Sequence, residues 1–555
     1  MLAAVLAARG IEQFAQLQPS LAQLLPPDGL KNAALAGQLL ADAVQQGQSL
    51  CVVADYDCDG ATACVVAVLG LRLLGAAKVD FIVPNRFKTG YGLTPEVVEQ
   101  VAQHPRLGKP DWIMTVDNGI ASVEGIALAN RMGIRTLVTD HHLPGEVLPD
   151  AAVILNPNQA GCGFESKALA GVGVVFYALL LARAELRRRG VFTLTAQPKL
   201  DGLLDLVAIG TVADVVKLDA NNRALVGAGL ERIRQGARNG SLRPGVAALF
   251  AVAARDAAKA STSDIGFAIG PRINAAGRLD DMSVGIACLL SSDAIEATRL
   301  AHELQAMNAA RRGIESDMQA SAVAQAETAF ASQSSSAIAA GLVLFDDTWH
   351  QGVVGLVASR IKETYWRPTI AFAPADEDGV QLRGSGRSIA GFHLRDALDV
   401  VAKRHPALIQ KFGGHAMAAG LSLLAQHLPA FKTAFEAVCS EWLSEQALQR
   451  VLLTDAAPKV KDMTLDTVAM LDAVVWGQGF EAPVFDSEAI VLEQRLLNGA
   501  HLKLKLDIAG LPLDAIWFGQ TQTVPTRLRV AYRLAINEFR GNRSVQAMVE
   551  HAQAI

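Results

Sequence analysis

The chain has 555 residues, of which 51% are hydrophobic, 5% aromatic and 19% charged. That length exceeds one ordinary core, so three or four domains are expected, and the composition is too apolar for extended disorder. Lys and Arg number 50 against 55 Asp and Glu, a net charge of −5, so no global basic charge announces a nucleic-acid or membrane partner, although a local groove would suffice.

Residues 1–48 carry no motif that suggests chemistry; 21–25, followed by Pro26-Pro27, read as a short helix and a turn. The apolar run 2–8 has no basic residue before it and no polar cleavage region after it, which argues against a signal peptide. The most apolar uncharged run, 168–182, is shorter than the roughly 18 to 20 residues that span a bilayer. Two longer runs, 328–345 with its serine cluster and 412–431 with His415, His427 and Pro429, read as buried helix and loop. Six cysteines without a C-x-x-C pair argue against a disulfide framework and a cysteine zinc site and fit a reducing compartment. A cytoplasmic protein with no membrane partner is expected.

Short apolar runs at 50–53, 112–116, 134–138 and 152–155 predict strands, and 61–74, 123–132 and 203–207 predict helices. Their alternation predicts a parallel sheet covered on both faces, an α/β domain over 49–236. Residues 241–335 read as helical, and 294–330, with no Pro and one Gly, as one long or two short connecting helices. The serines at 332–336 read as a linker into a smaller α/β unit, with a strand at 341–345, a helix at 353–364, a strand at 369–373 and an end near 440. Leu502, Leu504, Leu506 and Ile508 then alternate with Lys503, Lys505 and Asp507. The same period returns at Val530, Tyr532, Leu534 and Ile536, and at Val545, Ala547 and Val549. Alternating strands joined by turns such as Arg540-Gly541-Asn542 predict a small antiparallel barrel or sandwich. Residues 491–555 carry eight Lys and Arg against five acids, so this barrel is either a single-strand binding module or a plain solvated fold. Five segments result: 1–48, 49–236, a helical connector 237–336, 337–440 and 441–555.

Each of the three strongest strands in the first domain ends in acid. The first runs into Asp55-Tyr56-Asp57-Cys58-Asp59-Gly60, the second into Asp117-Asn118-Gly119 and the third into Asp140-His141-His142. Strand ends of a parallel sheet share one edge, where ligands bind. A single Asp there is as well explained by a helix N-cap, but convergence of all of them leaves carboxylates that repel unless a cation neutralises them. Oxygen ligands suit Mg²⁺ or Mn²⁺, the imidazole favours Mn²⁺, and so many donors suit two ions about 3.5 to 4 Å apart. A further acid, Asp214, follows the apolar run 206–213, in which Gly210 allows close approach. Cys58 reads as a small apolar residue directed into the core.

These motifs, in this order, resemble the DHH phosphoesterase superfamily. Pro84-Asn85-Arg86-Phe87-Lys88-Thr89-Gly90-Tyr91-Gly92, Arg272-Ile273-Asn274-Ala275-Ala276-Gly277-Arg278, Gly384-Ser385-Gly386-Arg387-Ser388 and Phe412-Gly413-Gly414-His415 narrow the resemblance to the RecJ family of bacterial single-strand-specific 5′→3′ exonucleases. The resemblance implies a DHH domain, a smaller DHHA1 domain with the active site in the cleft between them, and a C-terminal oligonucleotide-binding (OB) barrel. It implies two divalent cations, Mn²⁺ or Mg²⁺, held by Asp57, Asp59, Asp117, His141 and Asp214, with Asp117 bridging. Asp55 is a further candidate ligand, Asp140 orients a histidine, and His142 contacts the scissile phosphate or handles a proton.

In the Gly-Ser-Gly-Arg segment small residues let backbone N–H groups approach a phosphate and Arg387 offers a fork to it, although by itself such a segment is as often a plain loop. The resemblance makes Ser385, Gly386 and Arg387 the pocket for a terminal 5′-phosphate, joined by Arg86, with Arg272, Asn274 and Arg278 on the scissile or adjacent phosphates. His415 either reaches the cleft or is structural. Lys503, Lys505, Arg540 and Arg543 are the expected DNA track. The implied reaction is two-metal, in-line water attack on single-stranded DNA that releases 5′-mononucleotides in repair and recombination, with a single-strand-binding protein and a helicase as partners. A relative acting on short oligonucleotides or cyclic dinucleotides, or a non-catalytic replication scaffold, are the alternatives. The long chain and basic barrel disfavour the first, and the intact carboxylates disfavour the second.

Overall fold

The computed structural model describes residues 1–17, 20–85, 89–331, 339–376 and 378–555; Arg86 and the serine linker 332–336 lie outside them. Strands β1 (Leu50–Ala54), β2 (Val79–Ile82), β3 (Trp112–Val116), β4 (Arg135–Thr139) and β5 (Val153–Leu155) form a parallel sheet in the order β2-β1-β3-β4-β5. β1 and β3 are buried at every residue, as strands covered by helices on both faces must be. β2 was not foreseen. It is four residues long and contains a buried acid, Asp80, which is paired with Arg106.

The strand order reverses between β1 and β3, and a crevice opens at the carboxyl ends of strands at such a switch point. Helix Cys58–Leu73 is buried nearly all round, and its first turn is capped by Asp57. The apolar run 168–182 forms most of the buried helix Gly171–Arg188. Among the described residues no helix is long and apolar enough to cross a membrane.

This sheet belongs to a unit made of Met1–Gly277, Asp281–Gln305 and Leu453–Ile555. The motif-free N-terminus is structural here. Val5 of helix Leu2–Ala7 lies in the barrel core, Arg9 forms a two-point ion pair with Asp455, and helix Ala33–Gln45 packs on helix Gly171–Arg188. The connecting stretch ends in one 38-residue helix, Ala294–Ala331.

The second unit, Arg278–Asp280 with Ala306–Leu452, contains β6 (Leu342–Phe345), β7 (Thr369–Pro374), β8 (Gln381–Arg387), β9 (Lys411–Gly414) and β10 (Ala418–Leu424). They pair as β6-β7-β8-β10-β9, with only β6 and β7 parallel. Two expectations are corrected. Gly384-Ser385-Gly386-Arg387 is strand β8 and not a loop, because the glycines face a crowded core: a Cβ at Gly384 would lie 2.4 Å from Phe372 Cε1. The run 412–431 is two strands and the start of helix Leu428–Trp442, not helix and loop.

In the first unit, β11 (Phe485–Leu497), β12 (His501–Ile508), β13 (Leu511–Phe518), β14 (Arg527–Phe539) and β15 (Asn542–Ala554) close into a barrel, β11-β12-β13-β15-β14. Leu502, Leu504, Leu506, Ile508, Val530, Tyr532 and Ala547 fill it, in the predicted register. The barrel is not wholly antiparallel, since β13 and β15 run parallel.

Candidate active site

The acidic strand ends meet at the β1/β3 switch point. Three groups place ligand atoms within 4.8 Å of one another: Asp55, Asp57 and Asp117; Asp59, His141 and Asp214; and Asp117, His141 and His142. Asp117 and His141 each belong to two of these groups, so the groups form one cluster. Asp214 arrives at the end of helix Leu204–Ala213, whereas the other acids follow strands. Gly210 permits this approach, since a Cβ there would lie 2.8 Å from Asp59 Oδ1.

The cluster fits a cation and is poorly satisfied by protein alone. His141 Nε2 lies 3.1 Å from Asp117 Oδ1 and 3.5 Å from Asp214 Oδ2, yet these buried atoms have no hydrogen-bond partner among the described residues. Ligands each about 2.1 Å from one ion sit about 3 Å apart at right angles. Burial, reinforced by the neighbouring carboxylates, pushes the Asp117 carboxyl well above the ordinary range. The same causes bring Asp59 to about 8, and burial with Asp57 brings Asp214 to about 7. A divalent cation reverses that cost. Burial, then the charge of His142, lowers His141, which keeps the imidazole neutral as a ligand must be.

Two of the carboxylates have a second task. Asp57 Oδ1 accepts the Gly60 N–H at 3.0 Å as a helix cap. Asp59 accepts Gly171 N–H at 2.7 Å and Val172 N–H at 3.0 Å, which ties it to the start of helix Gly171–Arg188. Cys58 is buried and in none of the ligand groups, and burial, then Asp57 and Asp59, pushes its thiol up.

Asp140 is not in the ligand groups. Its Oδ1 accepts His141 N–H, His142 N–H and, at 2.8 Å, His142 Nδ1–H; its Oδ2 accepts Ile120 N–H. Burial alone would raise Asp140, but the hydrogen bond and charge of His142 hold it below the ordinary range. Burial opposes charge on His142 too, yet Asp140 pushes it up to about 9. His142 is thus held in place by Asp140, which favours its protonated form, and is one-third exposed at the cluster's edge (34%).

Sequence reasoning gave no role to Tyr91, whose Oη lies 3.4 Å from both ring nitrogens of His142. It also missed Gly171. Asp117 holds a left-handed backbone, φ +63°, and a Cβ at Gly171 would fall 2.5 Å from its Oδ1. Gly171→Ala is expected to displace Asp117 and weaken Mn²⁺ binding at least tenfold by calorimetry, with the circular-dichroism spectrum of the folded chain retained. Unchanged Mn²⁺ affinity would show that the contact is relieved elsewhere.

The remaining predicted residues fall in separate places. Asn274 Oδ1 accepts Cys58 N–H at 2.8 Å, so its carbonyl holds the acidic loop and only its Nδ2 is left for a phosphate. Arg272 Nη1 donates to Ala268 O. In the second unit, Arg278 donates to Gly352 O, and His415 is exposed in the β9–β10 turn. Arg387 donates to Ser385 Oγ and Gly386 O and has no carboxylate partner among the described residues. Burial lowers its guanidinium. Its Nη2 would be 3.0 Å from a Cβ at Gly355, in the first turn of helix Val354–Tyr365, so a guanidinium and a helix N-terminus adjoin.

On the barrel, Lys503 stands directly opposite Arg495, but Lys505 lies between Glu493 and Asp514. Arg529 and Arg533 are paired with Asp486 and Glu550. Arg540 sits over the Phe539 ring in the β14–β15 turn, and Arg543 faces Glu538 across it. Next to the Arg495–Lys503 pair, His501 meets the edge of Phe518, which is 55% exposed. Like charges opposite one another and an open ring suit a nucleic-acid strand better than the acid-flanked Lys505 does.

The family model of the DHH family, N-terminal domain, matches residues 49–211, that of the DHHA1 domain 335–441 and that of the RecJ OB domain 454–551. The single-stranded-DNA-specific exonuclease RecJ of Dickeya dadantii is 49% identical over 98% of this chain and 94% of its own length. That of Escherichia coli is 48% identical over the same shares. A crystal structure of RecJ in complex with Mn²⁺ from Thermus thermophilus superposes with a TM-score of 0.81 at 31% identity, covering 100% of this chain and 76% of that one. The Mg²⁺ complex from the same organism gives 0.75 at 28% identity, covering 100% and 74%.

Proposed function

The chain belongs to the RecJ family, and from that premise we propose that it is a metal-dependent exonuclease that degrades single-stranded DNA from the 5′ end. The single observation that carries the reading is the cluster of Asp57, Asp59, Asp117, His141 and Asp214, in which Asp117 Oδ1, His141 Nε2 and Asp214 Oδ2 are buried at the spacing of cation ligands with no hydrogen-bond partner among the described residues. These residues, with Asp55 as a further donor, would hold two Mn²⁺ or Mg²⁺ ions, which when bound supply Lewis-acid polarisation and a nucleophilic water.

The chain's own residues then divide the work. His142, oriented by Asp140, donates a hydrogen bond to the scissile phosphate. Water attacks the phosphorus between the first and second nucleotides, and the bond to the 3′ oxygen of the first breaks. A 5′-mononucleotide leaves, and the shortened strand carries a fresh 5′-phosphate. Arg387, Ser385 and the N-terminus of helix Val354–Tyr365 are the proposed pocket for that phosphate, so each product end is again a substrate end. Arg272, the Nδ2 of Asn274, Arg278 and His415 are proposed to contact nearby phosphates, and Arg495, Lys503, His501 and Phe518 to line the track, with Arg540 and Arg543 beyond.

Such strands arise where a helicase has opened a duplex and a single-strand-binding protein coats the product, so both are proposed partners, in repair and recombination. Six free cysteines agree with a cytoplasmic setting.

The test is release of nucleotide from 5′-labelled and 3′-labelled single strands and duplexes in Mn²⁺, Mg²⁺ or EDTA. Early release of mononucleotide from 5′-labelled single strands, and none in EDTA, is expected. First release from the 3′ end, or equal rates on duplex, would overturn it. Arg387→Ala should weaken binding of 5′-phosphorylated strands about ten- to a hundredfold while sparing 5′-hydroxyl strands, measured by fluorescence anisotropy. Equal losses on both would move the phosphate pocket elsewhere.

A further inference from the structure

Phe267 is 85% exposed, more than any other large apolar side chain among the described residues. It lies on a single π-helical turn, Ile265–Ile269, between the short helix Thr262–Asp264 and helix Gly270–Leu279. A π turn accommodates an extra residue at a cost in hydrogen-bond geometry and recurs at functional sites. Here Ile265, Ala268 and Ile269 are buried, and Phe267 alone among the turn's large side chains points outward.

The turn is fixed against the element that delivers Asp214. A Cβ at Gly270 would lie 3.0 Å from Ala213 Cβ, and one at Gly266 would lie 3.7 Å from Val212 Cγ1. Val215, on the other side of Asp214, holds a left-handed backbone, φ +62°, and is 61% exposed. A β-branched residue there is strained. Helix Gly270–Leu279 continues from the turn. Its Arg272 donates to Ala268 O at 2.6 Å, and its Asn274 holds the acidic loop at Cys58. An open phenyl ring and a guanidinium therefore come from one short segment clamped between two parts of the metal cluster.

A flat apolar face on the same short segment as a cation matches a ligand that alternates flat rings with anions. A single nucleic-acid strand has that chemistry, and a duplex does not, because its bases are already stacked on one another. We infer that Phe267 is a stacking platform for one base of the strand that enters the metal cluster, and that it contributes to the preference for single strands. The inference rests on the nuclease reading above and adds to it a specific base subsite that none of the predicted motif residues supplies.

The test is binding of fluorescein-labelled, 5′-phosphorylated single strands to the full chain in EDTA, with turnover of the same strands in Mn²⁺ measured beside it. The proteins are wild type, Phe267→Ala and Phe267→Trp. The strands carry either all bases or one abasic residue walked along successive positions. Phe267→Ala should weaken binding roughly tenfold, and Phe267→Trp should stay near wild type. At one position the abasic residue should weaken wild type by a similar factor and Phe267→Ala no further. Phe267→Ala binding within twofold of wild type, or an equal additional loss at every abasic position, would overturn the inference. So would binding by Phe267→Trp as weak as by Phe267→Ala. Because the ring is exposed, its removal leaves the core packing intact. Wild type that binds strands with this pattern but releases no nucleotide would instead sink the nuclease reading and leave the stacking subsite standing.

Discussion

An Asp117→Ala variant is expected to lose about a thousandfold or more in turnover on single-stranded DNA at saturating Mn²⁺, while its fold persists. Asp117 is the carboxylate shared between two of the ligand groups, so its loss would take a donor from each of them. Metal-derived stabilisation of a phosphoryl transition state is worth several kcal/mol, and about 4 kcal/mol corresponds to that factor. The fold should survive because the change removes a buried carboxyl that burial and its neighbours already disfavour in charged form. Single-turnover nucleotide release and thermal unfolding, measured on the same preparation, check both halves. Near-wild-type turnover would mean that the cluster does not work as a shared site.

His142→Gln is expected to lower kcat by about a hundred- to a thousandfold, with Mn²⁺ stoichiometry unchanged, because a positioned proton donor of this kind contributes on that scale. The separation arises from geometry. Asp140 grips His142 Nδ1 at 2.8 Å, whereas the neighbouring His141 directs Nε2 at Asp117 and Asp214. Two adjacent histidines thus face different tasks, and His141→Gln should reduce Mn²⁺ affinity where His142→Gln does not. Calorimetric titration with Mn²⁺ beside single-turnover kinetics makes the comparison. Equal loss of Mn²⁺ affinity in both variants would show that His142 is also a ligand.

The parts of the fold legible in the sequence are those where one physical requirement acts locally. β1, β3 and β4 are almost wholly buried and carry apolar stretches because both faces of the sheet are covered, and acids at their ends stand out against that background. In the barrel, one wet and one dry face impose strict alternation on β12, and the register was readable from Leu502 to Ile508. β2 escaped because its Asp80 breaks the apolar run, and Arg106, far along the chain, neutralises it. The glycines of β8 suggested a loop, but Phe372 and Leu421 leave no space for side chains there.

The candidate site divides the same way. The metal cluster was visible because each acid follows its own apolar run. The dependence of Asp117 on Gly171 was not, since the two meet only in space. The barrel's charge was countable, but cross-strand register decided that Arg495 and Lys503 stand opposite each other while Lys505 is flanked by acids. Phe267 lies in a stretch whose pattern reads as ordinary helix, and the extra residue of a π turn leaves no mark in composition.

The central claim is that one cluster of carboxylates and an imidazole at the β1/β3 switch point makes this chain a metal-dependent single-strand exonuclease. The most direct measurement titrates metal-free protein with Mn²⁺ and follows ions bound and nucleotide released from a 5′-phosphorylated single strand in the same samples. Two ions bound per chain are expected, with release that rises only as the second site fills, and neither in Asp117→Ala. Nucleotide release in EDTA, or full release with Mn²⁺ bound to Asp117→Ala as in wild type, would contradict it.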